Sequence, residues 1–233
     1  MKRNRRILVI NVGGTHVKLL VTGMKQPILI PSGPTLTPRA MVRQVKAAVK
    51  SIPYDVVSIG YPGPVVHGRP LREPHNLGKG WVGFNFRRAL GRPVKIINDA
   101  AMQALGSYHG GGRMLFLGLG TGLGSALVWE KALLPLELGD LPYHRRNIIE
   151  DYLGVPGLEL LGEREWKREV IYAVKQLKRS FIADYVVLGG GNAHRFNALP
   201  KGIERGQNEN AFLGGKRLWE TKERSRQLKW SVL

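Results

Sequence analysis

The stretch Leu8 to Leu20, "LVINVGGTHVKLL", decides the fold. An apolar run enters two glycines and a threonine and leaves as a second apolar run. That order reads as strand, tight turn, strand, with Ile7 to Ile10 pairing with Val17 to Thr22. One such turn needs no explanation beyond a hairpin, because hairpin turns favour glycine. Glycine also lets successive backbone amides converge on an anion, and Thr15 adds a hydroxyl donor.

The design then comes back. "LFLGLGTGLGSALV", Leu115 to Val128, is again strand, glycine turn, strand, about a hundred residues further on. A third apolar strand, Tyr185 to Leu188, runs into Gly189 to Gly191. Three glycine turns behind strands, two of them carrying threonine, weigh toward phosphate holding over three plain hairpins. None is a Walker loop, since Gly-x-x-x-x-Gly-Lys-Ser/Thr is absent. "GLGTGLG" has the glycine spacing of a dinucleotide fingerprint, but it leads into the strand Ser125 to Trp129 and not into a helix. Two strand–turn–strand units predict an α/β chain of two duplicated lobes with a cleft between them. The expected lobes are 1–110 and 111–233, divided near His109 to Gly112, with the last helix returning to the first lobe.

Between the turns, Thr37 reads as an N-cap and Pro38 as a first helical residue. Val42, Val45, Val49 and Ile52 share one face of the helix that follows. Strand Val56 to Gly60 feeds "GYPGPVVHGRP", a long loop of the kind that carries sites on rigid scaffolds. Phe86 to Leu90 reads as a short helix. Val94 to Ile97 is a strand closing in Asn98 and Asp99, ahead of an alanine-rich helix, Ala100 to Tyr108. On its own this pair reads as a helix cap. The same carboxylate is also the type of group that takes a proton from an attacking hydroxyl. Glu137, in "LPLELGD", reads either as an acceptor for polyol hydroxyls or as loop surface.

Farther on, Arg164 to Phe181 is a helix with an apolar stripe of Trp166, Val170, Val174, Leu177 and Phe181 and a basic remainder, read as a solvated face. Asn208 to Leu218 is a last helix, and the tail from Lys222 to Leu233 is basic and weakly patterned.

Composition narrows the classes. The 233 residues are 43% apolar, enough for a sizeable core. With no cysteine there is no disulfide and no thiolate metal site. No stretch approaches the roughly 18 to 20 apolar residues of a membrane span, and the apolar run behind Met1 to Arg6 is too short for a signal-peptide core. The expectation is a soluble, cytoplasmic protein with no membrane partner. The 36 lysines and arginines against 17 acids give a net charge of +19, which attracts polyanions such as inorganic polyphosphate or nucleic acid. A merely solvated basic surface is the other reading of that charge.

In this order the residues resemble the ROK family of sugar kinases, and most of all its polyphosphate-dependent glucokinase branch. "NVGGTHVK" is similar to the family's first phosphate motif, "GYPGPV" with "HNLGKGW" to its sugar-side loop, and "INDA" to its catalytic strand end. "LGLGTGLGSAL" is similar to the second phosphate motif, "ELGD" to the sugar carboxylate turn and "VVLGGGNAHRF" to the adenosine-side turn. The resemblance covers nearly the whole chain. It implies a two-lobed, actin-like (RNase H-like) ATPase fold, usually paired as a homodimer, and hexose phosphorylation with Mg²⁺ and with ATP, polyphosphate or both as donor.

By resemblance, Asp99 is the base that activates the 6-hydroxyl of a hexose, with glucose as the first candidate. Asn98, Glu137, Asp140, Gly63 and Asn76 lie on the sugar side. Asn11, Gly13, Gly14, Thr15, Lys18, Gly120, Thr121 and Gly122 surround the donor phosphates, and Gly190 and Gly191 face a nucleoside. Such a layout suits phosphoryl transfer, where positioning and charge neutralisation supply most of the catalysis.

Three positions depart from the family pattern. The first motif begins with Asn11 where the family has an aspartate that helps organise Mg²⁺; asparagine hydrogen-bonds but brings no charge. The sugar turn ends in Asp140 where the family has histidine, with His144 close by in sequence. The cysteine-rich zinc motif of many members is missing, as it is in the polyphosphate branch. These departures keep a second reading open: a ROK-like protein that binds a sugar or a polyanion, polyphosphate before nucleic acid, without turnover. Family repressors carry an N-terminal DNA-binding domain, and only six residues precede the first strand here.

Overall fold

The computed structural model describes residues 5–130, 132–207, 209–220 and 231–232. Most of the basic tail from Lys222 therefore lies outside the described residues, as does Asn208.

The first half builds a five-stranded sheet. β1 (Ile7–Val12), β2 (His16–Val21) and β3 (Ile28–Pro31) form an antiparallel meander. α1 (Pro38–Ala48) crosses over to β4 (Val56–Tyr61), which lies parallel to β1. A small hairpin of β5 (Val65–Val66) and β6 (Arg69–Pro70) precedes α2 (Phe86–Leu90). β7 (Val94–Asn98) then adds parallel to β4 and hands over directly to α3 (Asp99–Ser107). The order across the sheet is β3-β2-β1-β4-β7.

The second half repeats this plan. β8 (Met114–Leu119), β9 (Leu123–Trp129) and β10 (Ala132–Leu136) form the meander. A single 3₁₀ turn, Leu138–Asp140, leads to a two-residue hairpin of β11 (Pro142–Tyr143) and β12 (Asn147–Ile148). α4 (Ile149–Leu153) and α5 (Val155–Ser180) follow. β13 (Tyr185–Gly189) lies parallel to β8, and β14 (Ile203–Arg205) parallel to β13. α6 (Asn210–Arg217) is the last helix, and β15 (Ser231–Val232) pairs with the edge of β10. The order β14-β13-β8-β9-β10-β15 mirrors the first sheet: a hairpin on one side of the central strand and a parallel strand on the other. This is the two-lobed, actin-like arrangement.

Local chemistry explains the elements. Thr37 Oγ1 caps α1 by accepting from the Ala40 amide at 3.3 Å, with Pro38 opening the helix. Gly91 ends α2 in the left-handed conformation, φ +68°. Gly162, φ +72°, breaks α5, so the amphipathic stretch starts only after it. Trp166, Val170, Val174 and Leu177 of that stretch are buried. The central strands β4 and β8 are buried at every position because helices cover both faces of both sheets.

The core falls into three parts. One lies under α1 and α2, on the outer face of the first sheet. One lies under α5, on the outer face of the second. The third fills the space between the sheets, where α3 and α6 run side by side. Those two helices touch backbone to backbone: a Cβ at Gly106 would overlap the carbonyl of Asn210, and one at Gly214 the carbonyl of Met102. Ser58 of β4 ties α6 in place. Its hydroxyl donates to the Gly215 carbonyl at 2.6 Å and accepts from Trp219 Nε1 at 2.8 Å. Arg217 Nη1 donates to the Tyr108 carbonyl at 2.8 Å and so holds the far end of α3.

A methyl group at Gly106 meets backbone that has no rotamer to give, so Gly106→Ala is expected to cost about 2–3 kcal/mol by overpacking. Urea unfolding measures it; an unchanged midpoint would mean the helix pair is not tightly packed.

Candidate active site

The site is assembled from turns at the strand ends. At the first, Gly13 N donates to His16 O at 3.1 Å, closing the turn between β1 and β2. Ser32, past β3, braces it: its hydroxyl donates to Gly13 O at 2.6 Å and its amide to Thr15 O at 3.0 Å. Gly14 and Thr15 are left exposed. A Cβ at Gly14 would sit 3.4 Å from Asn76 Cβ, so the loop that carries Asn76 packs against the first glycine turn. Lys18 is the cross-strand partner of Asn11, on the same face of the sheet.

The second turn has Gly120 N donating to Gly122 O at 3.0 Å. Its Thr121 carbonyl accepts from the Val155 amide at 3.1 Å, joining it to the start of α5. Gly190, φ +80°, packs on the end of β8, where a Cβ would come within 2.5 Å of Leu119 O. The second and third turns are therefore neighbours, and Gly191 faces open space.

Asp99 is the first residue of α3, and its Oδ1 accepts from the Ala100 amide at 2.8 Å. Burial pushes its carboxyl up from the usual carboxylate range to about 7, and the negative charge of Glu137 adds to that rise. The Ala100 hydrogen bond opposes it. Asp99 and Glu137, far apart along the chain, are thus close enough in space for their charges to interact. Gly60 makes the approach of β1 possible: a Cβ there would lie 2.9 Å from Asn11 Oδ1 and 3.4 Å from Asp99 Cα. Asn11 Oδ1 is buried with no hydrogen-bond partner among the described residues.

Asn98 is a working cap. Its Oδ1 accepts from the Ala101 amide at 3.0 Å, while Nδ2 donates to the Gly63 carbonyl at 3.2 Å. The cap also ties the loop after β4 to α3 and leaves one Nδ2 hydrogen over. Gly63 itself, φ +158°, folds back against the Tyr61 ring.

Around Glu137 lies an acidic group. Its carboxyl is raised by burial first, then by Asp140 and Glu150, with Arg72 opposing. Glu150, on α4, was not among the residues expected from sequence. Its Oε2 accepts from the Leu123 amide at 2.9 Å, and its carboxylate lies where a Cβ of Gly122 would be. Gly139 packs on it from the other side. Glu150 therefore bridges the second glycine turn and the 3₁₀ turn Leu138–Asp140. Its only sequence signal is an acid in the first turn of a helix, which is ordinary. Arg72 and Ser32 were also missed, for they sit in loops without periodicity. His144 is engaged elsewhere: its Nε2 lies 3.0 Å from Glu169 Oε1 on α5, and its ring packs on Tyr143 and Tyr152.

The described residues hold no cluster of three metal-ligating side chains. Asn11 Oδ1 is nonetheless a buried oxygen without a donor, beside Asp99. That fits Mg²⁺, which prefers oxygen, keeps several waters and shares substrate phosphates.

Residues 7–135 match the ROK family pattern, and the chain belongs to that family. The polyphosphate glucokinase of Mycobacterium tuberculosis (strain ATCC 25177 / H37Ra) is 27% identical over 202 residues, covering 78% of this chain and 76% of that protein. The polyphosphate glucokinase of Mycobacterium leprae (strain TN) is 26% identical over 204 residues, covering 78% and 62%. Among solved structures, the inorganic polyphosphate/ATP-glucomannokinase of Arthrobacter sp. strain KM superposes with a TM-score of 0.79 at 23% identity, over 91% of this chain and 97% of that one. A ROK family glucokinase from Streptomyces griseus, in complex with glucose and AMPPNP, gives 0.71 at 16% identity, over 90% and 97%.

The Asp99 shift has a direct thermodynamic consequence. A carboxyl raised from 3.8 to about 7 binds its proton more tightly folded than unfolded. From about pH 4 to 7 the unfolded chain has already lost that proton, so stability falls as pH rises and levels off above 7. Asp99→Asn removes this fall, so the variant gains on the wild type as pH rises, by an amount on the order of a few kcal/mol. Thermal melts from pH 4 to 8 test this; parallel curves for the two proteins would contradict the buried carboxyl.

Proposed function

We propose that the chain is a hexose kinase that moves a phosphoryl group from polyphosphate, ATP or both to the 6-hydroxyl of a hexose, with glucose as the first candidate. The observation that carries this reading is the Asp99 carboxyl at the start of α3, beside Asn11 and pushed to about 7 by burial and by the charge of Glu137. A base is most effective when its pKa lies near the working pH. Asp99 takes the hydroxyl proton as the sugar oxygen bonds to phosphorus and the bond to the donor's bridging oxygen breaks.

Glu137, Asp140 and Glu150 accept hydrogen bonds from sugar hydroxyls. Asn76 and the spare Nδ2 hydrogen of Asn98 donate. The amides of Gly14 and Gly122, in the turns that the Gly13 and Gly120 amides close, hold donor phosphates together with the hydroxyls of Thr15 and Thr121 and the Lys18 ammonium. Gly190 and Gly191 leave room for a nucleoside. Mg²⁺, when bound, neutralises charge on the donor, and Asn11 Oδ1 is the protein oxygen placed to help hold it. The chain works in the cytoplasm and pairs as a homodimer in this reading, which sedimentation tests.

A coupled assay for glucose 6-phosphate, with Mg²⁺, glucose and either donor, tests the chemistry. Product is expected, with kcat/KM rising with pH through about 7. Asp99→Asn is expected to lower kcat about 10²- to 10⁴-fold while glucose binding by calorimetry is kept. Asn11→Asp restores a carboxylate, so the Mg²⁺ concentration for half-maximal rate should fall. The neutral Asn11 also supports a second reading, a sugar binder without turnover. Binding of a hexose with no product from either donor, across several hexoses, would establish that reading instead.

A further inference from the structure

The positive charge is not evenly spread. Residues 1 to 98 contain 17 lysines and arginines and two acids, Asp55 and Glu73. They thus carry +15 of the net +19 in well under half of the chain. Both acids are occupied by backbone: Asp55 accepts from the Arg6 amide, and Glu73 from the amides of Trp81 and Val82.

Much of this charge falls on one surface. α1 buries Met41, Val42 and Val45 against the sheet and exposes Arg39, Arg43 and Lys46, with Lys50 one turn beyond. These positions repeat at intervals of three and four, so they form one stripe about 16 Å long. α2 packs beside α1 on the same core and exposes Arg87 and Arg88. Arg92 follows, close enough to Tyr54, past the end of α1, to act on its phenol. Asn85, Arg87, Arg88, Gly91, Arg92 and Pro93 line a shallow groove of about 400 Å³ there. None of these cations has an ion-pair partner among the described residues, whereas α5 pairs Lys167 with Glu163 and Arg168 with Glu165.

We propose that Arg39, Arg43 and Lys46 of α1 and Arg87, Arg88 and Arg92 around α2 form an anchoring surface for a linear inorganic polyphosphate chain, outside the catalytic cleft. The choice of ligand rests on the kinase reading above, and the surface deepens it by giving a long donor a second hold. The first sheet stands between this face and α3, so these residues do not touch Asp99. The route to the cleft is nevertheless short. Gly78 packs on Thr35 and Leu36 just before α1, Lys79 beside it is exposed, and Asn76 touches Gly14.

A chain of phosphates needs cations at intervals and nothing else. Single-stranded nucleic acid is commonly held by stacking its bases on aromatic side chains as well. Neither α1 nor α2 exposes an aromatic ring, since Phe86 is buried. That favours a polyanion without bases.

The test compares two full-length variants that each lose four charges. R39Q/R43Q/R87Q/R88Q removes four of the six cations of the surface; R145Q/K175Q/R179Q/K201Q removes four exposed cations elsewhere. Binding of end-labelled long-chain polyphosphate is followed by anisotropy between 50 and 200 mM salt. The surface variant should lose affinity at least about tenfold at low salt, and its plot of log K against log salt should flatten by about 3. The control should stay near wild type, and phosphorylation from tripolyphosphate should be unchanged in both. The pair R87Q/R88Q should show about half the change in slope, which guards against misfolding of the larger variant.

Equal losses in both variants would overturn the proposal in favour of a general field, and wild-type binding by the surface variant would overturn it outright. Single-stranded DNA of equal charge binding the wild type as tightly, with the same dependence on these arginines, would replace polyphosphate with nucleic acid. Surface-dependent polyphosphate binding without any sugar phosphate product would retire the kinase reading and leave the surface standing.

Discussion

The contact between α3 and α6 is the constraint on which the rest of the structure depends. Gly106 and Gly214 let the two helices meet with no side chain between their backbones, and both sheets pack on the layer they make. α3 begins with Asp99, so the depth and direction of that carboxyl are set by this packing. Ser58 and Arg217 hold the pair through hydrogen bonds to backbone carbonyls, which demand one register. A close helix contact deep in the core thus fixes the carboxyl that opens α3.

Electrostatics divides the molecule by task. Around the proposed site, Asp99, Glu137, Asp140 and Glu150 draw together, and burial with mutual repulsion raises the first two. Perturbed carboxyls of this kind are typical of functional sites. The outer face of the first sheet does the reverse and presents cations to solvent with few acids among them. A field of that sign attracts polyanions from a distance.

Much of this was legible in the chain. The glycine turns at Gly13 and Gly120 appeared as interruptions of apolar runs, and they stand at matching places in two sheets of matching order. Thr37 and Pro38 predicted the start of α1 to the residue. The region from Leu138 to Ile149 was not legible, since it contains only a 3₁₀ turn and two-residue strands. Such pieces have no period, and the tertiary setting decides them. Glu150 was invisible for that reason, as was the commitment of His144 to Glu169.

By itself the sequence determined the α/β class, the strand–glycine–strand repeat and the concentration of cations in the first 98 residues. Each of these is carried by local pattern or by counting, which needs no partner in space. Only the tertiary structure decided that the charges of Asp99 and Glu137 interact, that Glu150 lies against Gly122, and that Asn11 Oδ1 has no donor among the described residues. Those facts concern groups far apart along the chain, and the apolar packing of two sheets around one helix pair brings them together.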